Sequence, residues 1–228
     1  HDDIMDKAPL RRNKETVHIK YGDSTALLAG DVMLVKAYEY LSKVPVKYLQ
    51  PVLHLFNTTA SEVCEGQQFD MEFEKKSMVS FEEYENMIAL KTSVLLGASM
   101  QLGAILGGAG LNNQHHLYNF GKMLGMAFQV QDDYLDAFGD PEKFGKQPGG
   151  DILANKKTFL LLETMAVANP AQQEKLKTLL AANAPDKVAE MQQLFKDCKA
   201  DEWAKALKEK YYLLALKSLD DVAVISSH

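Results

Sequence analysis

The chain has 228 residues, 46% of them hydrophobic and 25% charged, the balance of an ordinary globular protein with one large domain or two small ones. A net charge of −6 excludes a broad nucleic-acid surface. Cys64 and Cys198 form neither a metal-ligand spacing nor a disulfide framework, which points to a reducing, cytoplasmic setting.

From its start the sequence reads as helix after helix. His1 to about Ala8 is the end of a helix carrying Asp2-Asp3-Ile4-Met5-Asp6. Because such a helix needs preceding turns, upstream residues are expected in the natural protein. Pro9 to Gly22 reads as a loop holding Arg11, Arg12 and Asn13. Asp23 or Ser24 caps a helix over roughly Thr25 to Ser42. Pro45 and Pro51 bracket a junction before a long helix from about Val52 to Lys75, with Leu53, Phe56, Ala60, Val63 and Gln67 along one side. Ser80, with Glu83 three residues on, is a capping box for a helix that carries Lys91 and Thr92 and extends to about Leu106. The uncharged stretch Thr92 to Leu111 is interrupted by Gly97, Gly103, Gly107, Gly108 and Gly110, so it reads as a buried helix with a glycine-rich turn and not as a membrane span.

Asn112 or Asn113 starts the helix holding Asp132-Asp133-Tyr134-Leu135-Asp136. Gly139 to Gly150 is a turn-rich loop with Lys143 and Lys146. Helix returns near Asp151 and runs to Asn169-Pro170. Shorter amphipathic helices follow around Gln172–Ala182, Pro185–Cys198 and Asp201–Leu219. No segment alternates with period two between turn signals, so no strand is predicted. The expected architecture is all-α, one domain over 1–228 built as a bundle of long antiparallel helices around a central cavity. The Leu-, Met- and Ala-rich faces over Val94 to Leu106 and Leu117 to Phe128 could form a dimer interface.

The two acidic motifs share the pattern Asp-Asp-x-x-Asp. Residues four apart on a helix project from nearly the same side, so Asp2 with Asp6, and Asp132 with Asp136, offer paired oxygen ligands. Mg²⁺ bound this way completes its shell with substrate phosphate. Arg11 and Arg12 follow the first motif; Lys143, Lys146, Lys156 and Lys157 follow the second. Carboxylates, cations and diphosphate together would make diphosphate a good leaving group. A single such motif is more often a solvated helix face; two with apolar flanks are not. Lys91 inside an apolar helix is unusual without a partner. His115 and His116 read as surface residues, and the methionines as core filler or the lining of an apolar tunnel.

The blocks DDIMDKAPLRRN, GQQFD at Gly66–Asp70, KTSVLL from Lys91, FQVQDDYLD at Phe128–Asp136 and GKQPGGDILANKKT at Gly145–Thr158 resemble, in order and spacing, those of the trans-isoprenyl diphosphate synthases, the polyprenyl synthetases. The resemblance covers residues 1 to 158; any one block alone would be unspecific. It implies an isoprenoid synthase-like helical fold and head-to-tail condensation of an allylic diphosphate with isopentenyl diphosphate, with Mg²⁺ as cofactor, three ions when the allylic diphosphate is bound, in a homodimer. By matching position, Asp2, Asp6 and Asp132 would ligate Mg²⁺, and Asp3, Asp70, Asp133 and Asp136 would act through water or hydrogen bonds. Arg11, Lys91, Lys146 and Lys156 would hold the allylic diphosphate and Arg12 the isopentenyl diphosphate. Thr92, the Lys91 carbonyl and Gln129 would lie beside the developing cation, and Gln67 would border the site. Lys157 falls outside the family spacing, which selects Lys156. Asn13 stands where the family has Gly, a place where Asn can hold left-handed backbone. The upstream Gly-Gly-Lys-x-x-Arg block and a downstream His of the isopentenyl site are absent from the sequence. A terpene cyclase-like enzyme, a non-catalytic synthase subunit and a helical scaffold are the rival readings; retention of both acidic motifs disfavours them.

Overall fold

A computed structural model describes residues 1–140, 149–181 and 185–223. It divides into two compact units, His1–His54 and Leu55–His228. Among the described residues the fold is all-α apart from one small hairpin.

In the first unit α1 (Asp2–Met5) carries the first motif, and Asp6 continues its backbone as the C-cap, donating to the Asp2 carbonyl at 2.9 Å. The expected loop is instead a β-hairpin, β1 (Leu10–Arg11) against β2 (Lys14–Glu15), with Leu10 opposite Glu15 and Arg11 opposite Lys14. Its turn residues Arg12 and Asn13 lie at φ 53 and 61, the two left-handed positions of a type I′ connection. Asn13 thus holds the left-handed backbone for which Asn is suited. Buried Thr16 donates through Oγ1 to the Ala8 carbonyl at 2.7 Å and ties down the hairpin base. A short α2 (Val17–Tyr21) and α3 (Asp23–Leu41) follow. Of α3 only Ala26 is buried; Leu28, Met33 and Val35 are 63%, 73% and 66% exposed.

Helix α4 (Val46–Lys75) begins earlier than its prolines suggest and contains Pro51. Pro51 removes the hydrogen bond to Lys47, but both residues are exposed near the helix start, where water can take the carbonyl. The capping box is present: Ser80 Oγ accepts from Glu83 N–H at 3.1 Å and Glu83 accepts from Ser80 N–H at 2.8 Å. It opens α5 (Phe81–Ile88), which passes through a π turn (Ala89–Ser93) into α6 (Val94–Leu106). By length and composition this run could cross a membrane; here Met87, Ile88, Val94 and Ile105 are buried among other helices.

Gly108, at φ 75, ends α6, and its neighbours close a Schellman turn through Gly108 N–H to Ile105 O and Ala109 N–H to Ala104 O. The chain reverses into α7 (Leu111–Phe138), which packs against α6 and carries the second motif. The predicted helix from Asp151 to Pro170 is broken in two, α8 (Gly150–Leu153) and α9 (Phe159–Val167), because Asn155 turns left-handed and Thr158 caps the second piece, accepting from Leu161 N–H at 3.4 Å. Asn169 and Gln172 exchange hydrogen bonds around Pro170 and start α10 (Pro170–Ala181). Helices α11 (Lys187–Asp197) and α12 (Ala200–Asp220) complete the unit, with α12 lying along α7. The core draws on α5, α7 and α9 to α12.

Gly97 and Gly121 let the α6 and α7 backbones approach closely, while Leu95, Met100 and Leu106 on the α6 face expected to meet a second copy are 53%, 39% and 40% exposed. Phe128, expected in the apolar flank of the second motif, is 61% exposed.

A methyl at Gly125 would lie 2.7 Å from the Ser93 Cα and 3.0 Å from its Cβ, whereas one at Gly103 meets nothing within 4 Å. Gly125→Ala is therefore expected to destabilise the chain by about 1–3 kcal/mol. Gly103→Ala, at an exposed helical position, is expected to stabilise it by about 0.5–1 kcal/mol. Urea unfolding of the two variants checks the opposite signs.

Candidate active site

The second unit contains a cavity of about 850 Å³. It is lined by carboxylates (Asp70, Glu74, Asp132, Asp133, Asp136, Asp151), by the ammoniums of Lys76, Lys91, Lys156 and Lys157, and by apolar side chains including Phe73, Met87, Ile88, Leu161 and Met165. Of the residues singled out from the sequence, Asp70, Lys91, Thr92, Gln129, Asp132, Asp133, Asp136 and Lys156 all come to this one cavity.

Lys91 and Thr92 sit in the π turn, where one extra residue shifts the backbone out of regular helical register; Val94 N–H accordingly pairs with Ala89 O. The turn lies directly against α4. A Cβ on Gly66 would stand 2.3 Å from the Lys91 backbone nitrogen, so only glycine allows this approach. The Lys91 ammonium reaches Asp70 Oδ2 at 2.6 Å, and both groups are half-buried. Asp70 is thus held by a lysine. Its neighbour Gln67 is half-buried with no hydrogen-bond partner for Nε2, and it is not part of the cavity lining.

The three acids of the second motif have different surroundings. Asp133 is 3% exposed. Its Oδ1 accepts from Gln129 Nε2 at 2.9 Å; its Oδ2 accepts from Tyr84 Oη at 3.1 Å and from Phe159 N–H at 3.1 Å. Burial pushes its carboxyl up to about 7, outweighing the donors that favour the anion. Burial, with the Asp133 charge, also holds the Tyr84 phenol well above its ordinary value, so Tyr84 stays a donor. Asp136 Oδ2 accepts from Asp151 N–H at 2.9 Å and so caps α8. Asp132 is half-buried on the cavity wall.

Opposite in sequence but adjoining in space, the turn after α8 brings both Lys156 and Lys157 to the cavity. Lys156 lies 3.6 Å from Asp151 Oδ1, and Lys157 donates to the Glu74 carbonyl at 3.5 Å. Lys157, which falls outside the family spacing, thus lines the cavity beside Lys156. Lys143 and Lys146 lie outside the described residues. Tyr84, Lys76 and Asp151 went unnoticed in the sequence. For Tyr84 a signal existed: it precedes Lys91 by two helical turns and so shares its face.

In the first unit Arg11 ties the first motif together, Nε donating to Asp3 Oδ1 at 2.7 Å and Nη2 to Asp2 Oδ2 at 3.0 Å. The hydrogen bond to Asp3 raises the Arg11 pKa above its ordinary value. Arg12 occupies the exposed hairpin turn, and Asp6 is exposed at the end of α1.

Among the described residues no three His, Cys, Asp or Glu side chains are placed to cage a metal on their own. The donor chemistry nevertheless fits Mg²⁺, which takes one or two carboxylates and draws its remaining ligands from water and phosphate.

The raised Asp133 carboxyl has a consequence for stability. Between its unfolded value near 3.8 and about 7 the folded chain holds a proton that the unfolded chain releases. Stability of the metal-free protein is therefore full below about pH 4 from this group and is lost as pH rises to about 7, by roughly 4 kcal/mol. Asp133→Asn should flatten this slope, since Gln129 can turn its amide oxygen toward the new NH₂. Urea unfolding in a chelator at pH 4.5 to 8 checks it.

The polyprenyl synthetase family model matches residues 1–198. A short chain isoprenyl diphosphate synthase of Methanothermobacter thermautotrophicus is 35% identical over 221 residues, covering 96% of this chain and 68% of that protein. A crystal structure of geranylgeranyl pyrophosphate synthase superposes with a TM-score of 0.91 at 43% identity, covering 98% of this chain and 70% of that one. The geranylgeranyl pyrophosphate synthase of Corynebacterium glutamicum, complexed with isoprenyl diphosphate and magnesium, superposes with a TM-score of 0.87 at 27% identity, covering 98% and 69%. The chain spans between about half and two thirds of the length of the curated relatives it matches. A helical cavity walled by an Asp-Asp-x-x-Asp motif and lysines, on a fold shared along nearly the whole chain, leaves one conclusion: the chain belongs to the polyprenyl synthetase family.

Proposed function

We propose that this chain belongs to a Mg²⁺-dependent prenyltransferase that condenses an allylic diphosphate with isopentenyl diphosphate, head to tail, to give a longer trans-polyprenyl diphosphate. The observation that carries this reading is the composition of the cavity wall. Asp132 supplies hard oxygen, Lys91 and Lys156 supply cations for phosphate, and Phe73, Met87 and Leu161 supply apolar surface for a prenyl chain.

In this reading Asp2, Asp6 and Asp132 would ligate Mg²⁺, three ions with the allylic diphosphate bound; the magnesium of the C. glutamicum relative supports the choice of metal. The bound metal would neutralise diphosphate charge and so favour its departure. Lys91, Lys156, Lys146 and Arg11 hold the allylic diphosphate, and Arg12 the isopentenyl diphosphate. The allylic carbon–oxygen bond breaks with its electron pair leaving on diphosphate, where these fixed cations meet the growing charge. Gln129 donates its NH₂ to Asp133, which turns its oxygen into the end suited to a carbocation. Thr92 and the Lys91 carbonyl border the same space. The isopentenyl double bond then attacks, a carbon–carbon bond forms, and a proton leaves to the released diphosphate. Asp70, Asp133 and Asp136 act by hydrogen bonds that fix Lys91, Gln129 and α8; Asp3 acts on Arg11. Gln67 borders the site from α4.

We further propose one domain over 1–228, a cytoplasmic homodimer with no membrane span and no nucleic-acid partner. The apolar residues that α3 leaves exposed offer a surface for the second copy. Light scattering of the natural full-length protein should give twice the monomer mass.

Incubation of the natural full-length protein with labelled isopentenyl diphosphate and a panel of allylic primers should yield Mg²⁺-dependent extension. Asp132→Ala should cut turnover at least about 100-fold with unchanged helicity, as expected when transition-state charge loses its support. Diphosphate binding without extension would instead point to a cyclase or a regulatory subunit.

A further inference from the structure

Lys187 opens α11 and is 1% exposed. A buried lysine needs a partner, and it has one on the cavity wall: Nζ donates to Asn155 Oδ1 at 2.8 Å. The other end of that amide is used as well, Nδ2 donating to the Leu180 carbonyl in α10 at 3.1 Å. The Asn155 side chain is thereby gripped from two helices, α10 and α11.

What this grip holds is a turn. Asn155 lies at φ 52 and occupies the left-handed position just past the end of α8. The turn closes as a Schellman motif, with Asn155 N–H on Ile152 O at 3.2 Å and Lys156 N–H on Asp151 O at 2.9 Å. Lys156 is therefore the residue whose direction this motif sets. Its ammonium stands 3.6 Å from the Asp151 carboxylate at the cavity. Packing alone does not account for Lys187, since a methionine would fill the same space without taking an ammonium out of water.

We propose that Lys187 is a positioning residue for Lys156, acting through the Asn155 side chain, which it fixes so that the turn presents the Lys156 ammonium to a diphosphate in the cavity. This rests on the reading of Lys156 as a diphosphate ligand. Lys187 itself touches no substrate.

A double-mutant cycle on the natural full-length protein tests it, with binding of inorganic diphosphate in the presence of Mg²⁺ followed by calorimetry. Lys156→Ala is expected to weaken binding, and Lys187→Met to weaken it about tenfold, the scale of a misplaced binding group. Combined with Lys156→Ala, Lys187→Met should add nothing. An equal loss in both backgrounds means that Lys187 supports the fold in general, and overturns the proposal while leaving Lys156 in its role. Unchanged binding in Lys156→Ala overturns the reading of Lys156, and the proposal with it. Should Lys187→Met fail to fold, Asn155→Gly combined with Lys187→Met removes donor and acceptor together and keeps a residue that accepts φ 52. The same loss, absent in the Lys156→Ala background, is expected of it.

Discussion

A carboxylate taken out of water needs donors, and Asp133 obtains them from three separate helices: the Tyr84 hydroxyl of α5, the Gln129 amide of α7 and the first backbone N–H of α9. Few other interactions in the second unit join so many elements at one atom pair. The aromatic packing follows from it. Tyr84 meets Phe159 edge-on with ring centroids 4.8 Å apart, and Phe81 links Phe159 to Trp203 in α12. Moving Asp133 would strand a phenol and a helix-terminal N–H in a dry core, each at a cost of about 1–3 kcal/mol. The neighbouring Asp132, about 100° round the same helix, is half-buried at the cavity.

The second constraint is how near the backbones come. Gly66 lies against the Lys91 backbone and Gly125 against Ser93, so the π turn is enclosed between α4 and α7. A π turn survives only where its surroundings determine it. The enclosure has a functional outcome: it aims Lys91 at Asp70 and sets Thr92 on the cavity wall. The ion pair is half-buried and at hydrogen-bond distance, which orients the ammonium before any ligand arrives.

These features differ in how far the sequence discloses them. Ser80 with Glu83 is a local signal, and the capping box forms as read. The second Asp-Asp-x-x-Asp motif and Lys91 in an apolar helix mark residues that meet in one cavity. The hairpin escaped because two-residue strands cannot show alternation; its real signature is Arg12-Asn13 at two left-handed positions. The break between α8 and α9 escaped because Asn155 and Thr158 are weak stop and start signals inside an otherwise helical pattern. Tyr84, Lys157 and Lys187 depend on tertiary distances across 49 to 83 residues of sequence or on burial, and no local pattern encodes those.

The basic residues are not equivalent as partners for a polyanion, and their surroundings rank them. Arg11 is paired with Asp2 and Asp3, yet its side chain is 53% exposed and that of Asp2 49%. Pairs of this kind contribute about 0–1 kcal/mol in water, so exchanging a carboxylate for a diphosphate oxygen costs Arg11 little. It also uses only Asp2 Oδ2 and Asp3 Oδ1, and a carboxylate has a second oxygen for another cation. Lys91 is held more firmly by Asp70 in a half-buried place and is better suited to a fixed electrostatic role than to exchange. Within the second unit, Lys156, exposed and 3.6 Å from Asp151, lies between these extremes: near enough to be oriented, loose enough to turn toward a ligand.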